Sequence, residues 1–236
     1  EEPGKGVARD DAEDQGSDER PGPDDRRRGD QERGRQEGKA AEEHLPSREG
    51  EEVQGFALIR SRIQPDLDAP CGRFLTYRRL IECGETQGRT GLPNRPRNPD
   101  SYSALLDLAT EILDPVIDWF GMVRLTYGFC SAELAKAIPG RIDPKLDQHA
   151  AHEVNRLGRP ICPRLGAAVD FIVDDEDMRE VANWIVSNTR FDRLYFYGSD
   201  RPLHVSFGPQ MTGIVVEMQR SKTGVLVPRR RSAGSL

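Results

Sequence analysis

The spacing of hydrophobic and polar positions divides the chain near residue 55. Through residues 1–54 apolar side chains show no period, and Gly, Asp, Glu and Arg dominate. Such a stretch buries too little apolar surface to offset an ordering entropy of roughly 1–2 kcal/mol per residue, so it reads as a disordered charged tail. From Phe56 onward the pattern becomes periodic. Residues 74–81 read as a short helix or a strand leading into one. Residues 84–100 form a loop, with Asn94-Arg95-Pro96 and Asn98-Pro99 as turn signals. Leu105, Leu108, Ile112, Leu113, Val116, Ile117 and Phe120 then recur at helical spacing. Asp100 or Ser101 is placed to cap that helix, and Pro115 predicts a kink or a fresh turn.

Residues 122–127 read as a strand. Ser131 caps a short helix reaching Ile138, which Pro139-Gly140 ends. Residues 141–165 are irregular, apart from a helical turn at 147–155. Residues 167–173 form a buried strand, and Asp174 or Asp175 caps a helix ending at Asn188. Met178, Val181, Trp184 and Ile185 share the inner face of that helix. Strands follow at 191–197, 203–207 and 213–218. Residues 222–236 read as a basic flexible C-terminus. The elements predict an α+β fold over 55–221, a compact single domain with a small antiparallel sheet flanked by helices.

Charge sharpens this division. Residues 1–54 hold 18 acidic and 10 basic side chains, against 22 and 24 in the remainder, so the formal charge of −6 comes from the tail. A near-neutral domain gives no electrostatic case for nucleic acid. No run approaches 18 apolar residues, so no membrane-spanning helix is expected. The charged start carries no apolar signal segment, which points to a cytoplasmic protein. Cys71, Cys83, Cys130 and Cys162 lack metal-finger spacing and read as reduced thiols.

The chemistry concentrates in three runs: Asp147-Gln148-His149, Gly166-Ala167-Ala168-Val169-Asp170 and Leu203-His204-Val205-Ser206. Two imidazoles and a carboxylate can hold zinc and leave one coordination position for water. Strand alternation aims Asp170 to one face while Val169 and Phe171 take the other. His204, on a later strand, can meet Asp170 across the sheet. His149 and His152 lie three apart and can share a helical face.

Order and context add a resemblance. From Phe74 to about Gly208 the chain resembles the hedgehog-type zinc peptidases, bacterial D,D-carboxypeptidases and phage L-alanyl-D-glutamate endopeptidases. The resemblance is carried by Asn94-Arg95-Pro96, Ile112-Leu113-Asp114-Pro115 with Gly121, and Thr126-Tyr127-Gly128-Phe129-Cys130-Ser131. It continues through Asp147-Gln148-His149, Gly166 to Asp170, Phe191-Asp192-Arg193-Leu194 and His204-Val205-Ser206. It implies a hedgehog/D,D-peptidase-like fold, Zn2+ on His149, Asp170 and His204, and a peptide or peptidoglycan-like substrate. Members hold the first His and the Asp closer together. Here they are 21 positions apart, with 150–165 inserted or rearranged between them. His152 or Glu153 can therefore stand in for His149. The position of the family's substrate-binding arginine falls on Cys130. That of its catalytic glutamate falls near Tyr197, which leaves Asp200 as the replacement base and Tyr197 as a hydrogen-bond donor to an oxyanion. The function implied is a divergent zinc-dependent peptidase or amidase-like hydrolase; the alternative is a catalytically inactive binding domain derived from that fold.

Overall fold

A computed structural model describes residues 64–139, 143–232 and 236. The charged tail at 1–54 lies outside the described residues, as does Gly140.

Six strands form a mixed sheet in the order β3-β4-β6-β5-β7-β8. They are β3 (Val123–Tyr127), β4 (Ala167–Val173), β5 (Arg193–Phe196), β6 (Leu203–Phe207), β7 (Ile214–Arg220) and β8 (Leu226–Arg231). A two-stranded ribbon, β1 (Pro70–Cys71) and β2 (Leu75–Thr76), precedes the sheet and leads into helix α1 (Tyr77–Ile81). The sheet is not purely antiparallel as expected, because β5 and β7 pair in parallel. Strand β7 runs beside β5, whereas β6 fills the other edge of β5. The stretch read as a flexible basic end instead carries β8, paired antiparallel with β7 from Val215–Arg231 to Arg220–Leu226. Its Pro228 is tolerated because β8 is an edge strand, where a missing N–H costs no ladder bond.

The predicted apolar stripe forms one run of three pieces: α3 (Pro99–Leu108), a π-helical turn (Ala109–Leu113) and α4 (Asp114–Phe120). Pro115 explains the π turn. It has no N–H to give, and its ring would press on the carbonyl four residues back. The wider turn relieves this, with the Asp114 N–H reaching back to the Ala109 carbonyl. The cap is Asn98, whose side chain accepts from the Asp100 N–H, rather than Asp100 or Ser101. Likewise α6 (Met178–Asn188) is capped by Asp177, not Asp174 or Asp175. Helix α5 (Ala132–Ala137) begins as expected, with Ser131 accepting from the Leu134 N–H. The loop after α1 contains a further short helix, α2 (Glu85–Thr90).

One face of the sheet is core. Val169, Phe171, Leu194, Phe196, Leu203, Val205 and Val215 join Leu105, Leu108, Ile112, Val116, Val181 and Ile185 in one buried cluster. Burying each such side chain stabilises the fold by roughly 1.5–3 kcal/mol. The residues between them on the strands face the opposite side, and the candidate site is built there.

Candidate metal centre

Asp170 on β4 is the direct antiparallel partner of His204 on β6, so the expected meeting across the sheet occurs. His204 Nδ1 lies 2.8 Å from Asp170 Oδ1. His149 arrives from a 3-10 turn, Gln148–Ala150, capped by Asp147, whose carboxylate accepts from the His149 N–H. Its Nε2 lies 3.2 Å from His204 Nδ1 and 3.2 Å from Asp170 Oδ1. His149 is buried. Its other ring nitrogen, Nδ1, donates to the Gly128 carbonyl at 2.8 Å. That bond fixes the tautomer of the neutral ring, so Nε2 presents its lone pair to the group.

His149, Asp170 and His204 thus offer one ligand atom each, all within 4.8 Å of one another, and form a group that could hold a metal ion. The separations test the fit. Ligands at ~2.0–2.1 Å around a tetrahedral ion stand roughly 3.3 Å apart. The three observed separations, 3.2, 3.2 and 2.8 Å, fall close to that edge length. Three converging electron pairs repel unless a proton or a cation sits among them.

The electrostatics agree. Burial pushes the His149 imidazole down, but the Asp170 carboxylate, Asp147 and the Gly128 carbonyl outweigh it and hold the imidazole above its ordinary value. Burial pushes Asp170 up, yet His149 and His204 hold it well below the usual carboxylate range. A metal would therefore compete with a proton for His149. In the metal-free protein this attraction adds stability below the ordinary histidine range, and it is lost as pH rises past the raised value. Metal affinity runs the other way. It should fall by about tenfold or more between roughly pH 8 and pH 5.5, as protons compete for His149. Competition titrations with a chromophoric chelator across that range check this, and a flat profile would contradict the assignment of His149 as a ligand.

Each sequence candidate has a clear place. The long separation of His149 from Asp170 is absorbed by a hairpin-like excursion. Val154 and Pro160 form its bridge, and the Ile161 N–H returns to the Glu153 carbonyl at 2.8 Å. Neither proposed stand-in joins the metal group. Glu153 Oε1 accepts from the Arg97 N–H, the Asn98 N–H and Ser101 Oγ, which ties the excursion to the start of α3. His152 Nε2 accepts from the Gly166 N–H. Asp200 stands apart from the group. Its side chain is 87% exposed in the turn before β6, and it does not line the cleft over the metal group. Tyr197 does line that cleft. Burial, with Asp170 and Tyr195 nearby, pushes its phenol up to about 12, so it stays protonated and donates. Cys130 is buried against Leu134 and Ala135 and lines a different cavity.

The cleft has a volume of about 330 Å³ and is walled by α2, by Thr126 and Tyr127 of β3, and by the end of α5. Its further carboxylates among the described residues are Glu85 and Asp147. Cys83 also faces it, with its thiol pushed up to about 12 by burial, so it remains a thiol.

Several supporting residues escaped the sequence reading. Gln148 Nε2 donates to the Leu165 carbonyl and to Asp192 Oδ2, while its Oε1 accepts from Ser206 Oγ. Asp192 in turn accepts from Thr212. This buried network ties the Asp147-Gln148-His149 run to β5 and β6. Asn94 donates to the Ile81 and Phe129 carbonyls and accepts from the Ser131 N–H. It so holds the segment whose Gly128 carbonyl anchors His149. The only signals for these roles were the motifs they sat in.

No family model, no curated protein and no solved structure matches this chain.

Proposed function

We propose that the domain is a zinc-dependent peptidase or amidase-like hydrolase, of the hedgehog-type class that the sequence resembles. One observation supports this reading: the His149, Asp170 and His204 donor atoms lie within 4.8 Å of one another, as a group that could hold a metal ion, beside a cleft. A metal held by these three residues would leave a position for water or a substrate carbonyl. Zinc bound there supplies Lewis acidity and lowers the pKa of a bound water to about 7. Gly128 fixes the His149 ring. Asp147, a buried carboxylate lining the cleft, is assigned the role of accepting the water's proton. Tyr197, held as a neutral phenol, donates to the oxyanion that develops on the substrate carbonyl. Peptide bonds of peptidoglycan type are the substrate class the resemblance implies.

A second reading, a binding domain without turnover, draws on Asp200 and Tyr197. The first lies outside the cleft, and the second cannot act as a base at neutral pH. Asp147→Asn separates the two readings, because an amide oxygen can still cap the turn. Zinc-loaded protein is assayed on synthetic muropeptides and on simple peptide amides. The hydrolase reading expects turnover in the wild type, reduced about 100-fold or more in Asp147→Asn with zinc content retained. Zinc binding without turnover on any of these substrates favours the second reading, and absence of zinc removes the first.

A further inference from the structure

A separate cavity borders the turn that carries His149. Its volume is about 340 Å³, and no described residue lines both this cavity and the metal cleft. The two share a wall instead. Leu134 of α5 and Ile138 just after it line the cleft, whereas Ala132, Ala135 and Lys136 line the cavity. In the same way His149 lines the cleft and Ala150 the cavity. The remaining walls are the turn bearing Arg95 and Arg97 and the excursion at 153–161.

The frame of this cavity is cross-tied. Asn94 accepts from the Ser131 N–H, and Ser131 Oγ donates to the Pro93 carbonyl, so the Arg95 turn is joined to the start of α5. Glu153 accepts from the Arg97 and Asn98 N–H groups, which joins the excursion to the same turn. Four cations stand on this frame: Arg95, Arg97, Lys136 and Arg156. The carboxylates lining the cavity among the described residues are Glu133 and Glu153. Glu133 takes Arg97 Nη2 at 2.9 Å. Glu153 is buried, and its Oε1 is committed to three donors, the third being Ser101 Oγ. Arg95, Lys136 and Arg156 therefore have no carboxylate at ion-pair distance among the described residues. Like charges held around one cavity repel, and a bound anion relieves that cost. The floor between them is small and apolar, made by Cys130, Ala132, Ala135, Ala150 and Ile161.

We infer that this cavity is a binding site for a small phosphate-bearing molecule, with Arg95, Lys136 and Arg156 on the phosphate and the apolar floor against its body. A phosphate group carries the charge and the several acceptor oxygens that cations from three separate segments call for. The volume lies near the lower end of small-molecule pockets, which suits a phosphate ester rather than a macromolecule. The site is distinct from the metal centre, and the inference does not rest on the hydrolase reading. It also gives the excursion between His149 and Asp170 a role, since that segment supplies Arg156 and one wall.

Inorganic phosphate, pyrophosphate and phenyl phosphate are titrated by calorimetry into the full chain at low salt, once with zinc and once with a neutral chelator present. At least one probe should bind with a dissociation constant of about 1 mM or lower under both conditions, and more weakly as salt is raised. Arg95→Gln, Lys136→Gln and Arg156→Gln should each weaken that binding about fivefold or more. All three side chains are exposed, so these substitutions leave the packed core in place. Arg229→Gln, on β8 and away from the cavity lining, should change the affinity by less than about twofold. Absence of binding by all three probes overturns the site. Binding that appears only with zinc belongs to the metal and overturns it as well. So does a loss in Arg229→Gln as large as in the cavity variants, which marks diffuse charge alone.

Discussion

Purified protein should take up one zinc ion per chain, and Asp170→Ala should abolish that stoichiometric binding. Removing partners that merely orient a metal ligand costs 10–100-fold in affinity, so loss of a direct ligand should cost more than about 100-fold. Asp170 suits the test because its backbone anchors survive the substitution. Its backbone carbonyl, which accepts from Thr126 Oγ1, and its ladder to β6 remain in the variant. His149→Ala and His204→Ala should behave alike. Asp200→Ala should leave zinc unchanged, because that carboxylate lies outside the cleft. The effect should also appear in stability. Zinc at about a thousand times its dissociation constant adds roughly 4 kcal/mol, or about 8–16 °C in melting temperature for a domain of this size. The wild type should show that rise and Asp170→Ala should not. Metal content measured by plasma emission, with melts run in zinc and in chelator, decides the matter. A wild type that holds no zinc, or an Asp170→Ala variant that holds it as tightly, would sink the assignment.

Gly128→Ala should distort the site and destabilise the domain. A Cβ at this position would overlap the Leu80 carbonyl oxygen and stand 2.8 Å from Cys83 Sγ. The first obstacle is backbone, so no rotamer change relieves it. The close approach exists because the Phe129 N–H donates to that same Leu80 carbonyl, while the Cys130 N–H donates to the His149 carbonyl. Residues 128–130 are therefore clamped between the end of α1 and the turn bearing His149. Overpacking against such a seam costs about 3 kcal/mol, at the upper end of the usual range. For a domain of this size that is roughly 6–12 °C. Zinc affinity should fall together with stability, since the Gly128 carbonyl is the acceptor that orients His149. Thermal melts and zinc titrations on the one variant check both. A variant with wild-type stability would mean that the close packing of Gly128 against α1 does not exist in solution.

Local pattern was enough for some of this architecture. The alternation in β4 sent Asp170 to one face and Val169 and Phe171 to the core, because a strand has a fixed period of two. The helical stripe from Leu105 to Phe120 and the Ser131 cap are equally local facts. Caps elsewhere moved by two or three residues, to Asn98 and Asp177. Several capping side chains stood side by side there, and the chain's approach to the helix selects among them. Strand β8 was hidden because Leu226-Val227-Pro228-Arg229-Arg230-Arg231 has little apolar content. Its pairing depends on β7 beside it rather than on any burial of its own.

The site divides in the same way. The residue types and their order, two histidines around an aspartate on a strand, are properties of the chain and, with the resemblance, pointed to a group that could hold a metal. Which of His149, His152 and Glu153 would complete it depended on the path of the loop after residue 149. Hydrogen bonds from Gln148 to Leu165 and Asp192, and from Arg97, Asn98 and Ser101 to Glu153, set that path. These partners lie 17 to 56 residues away along the chain, beyond any local pattern. The placement of Asp200 outside the cleft has the same cause. By itself the sequence determined which groups can bind a metal and which faces of its strands are apolar, since both follow from side-chain chemistry and local period. Tertiary structure alone decided which groups share a point in space, because strand register and loop closure depend on contacts between distant residues.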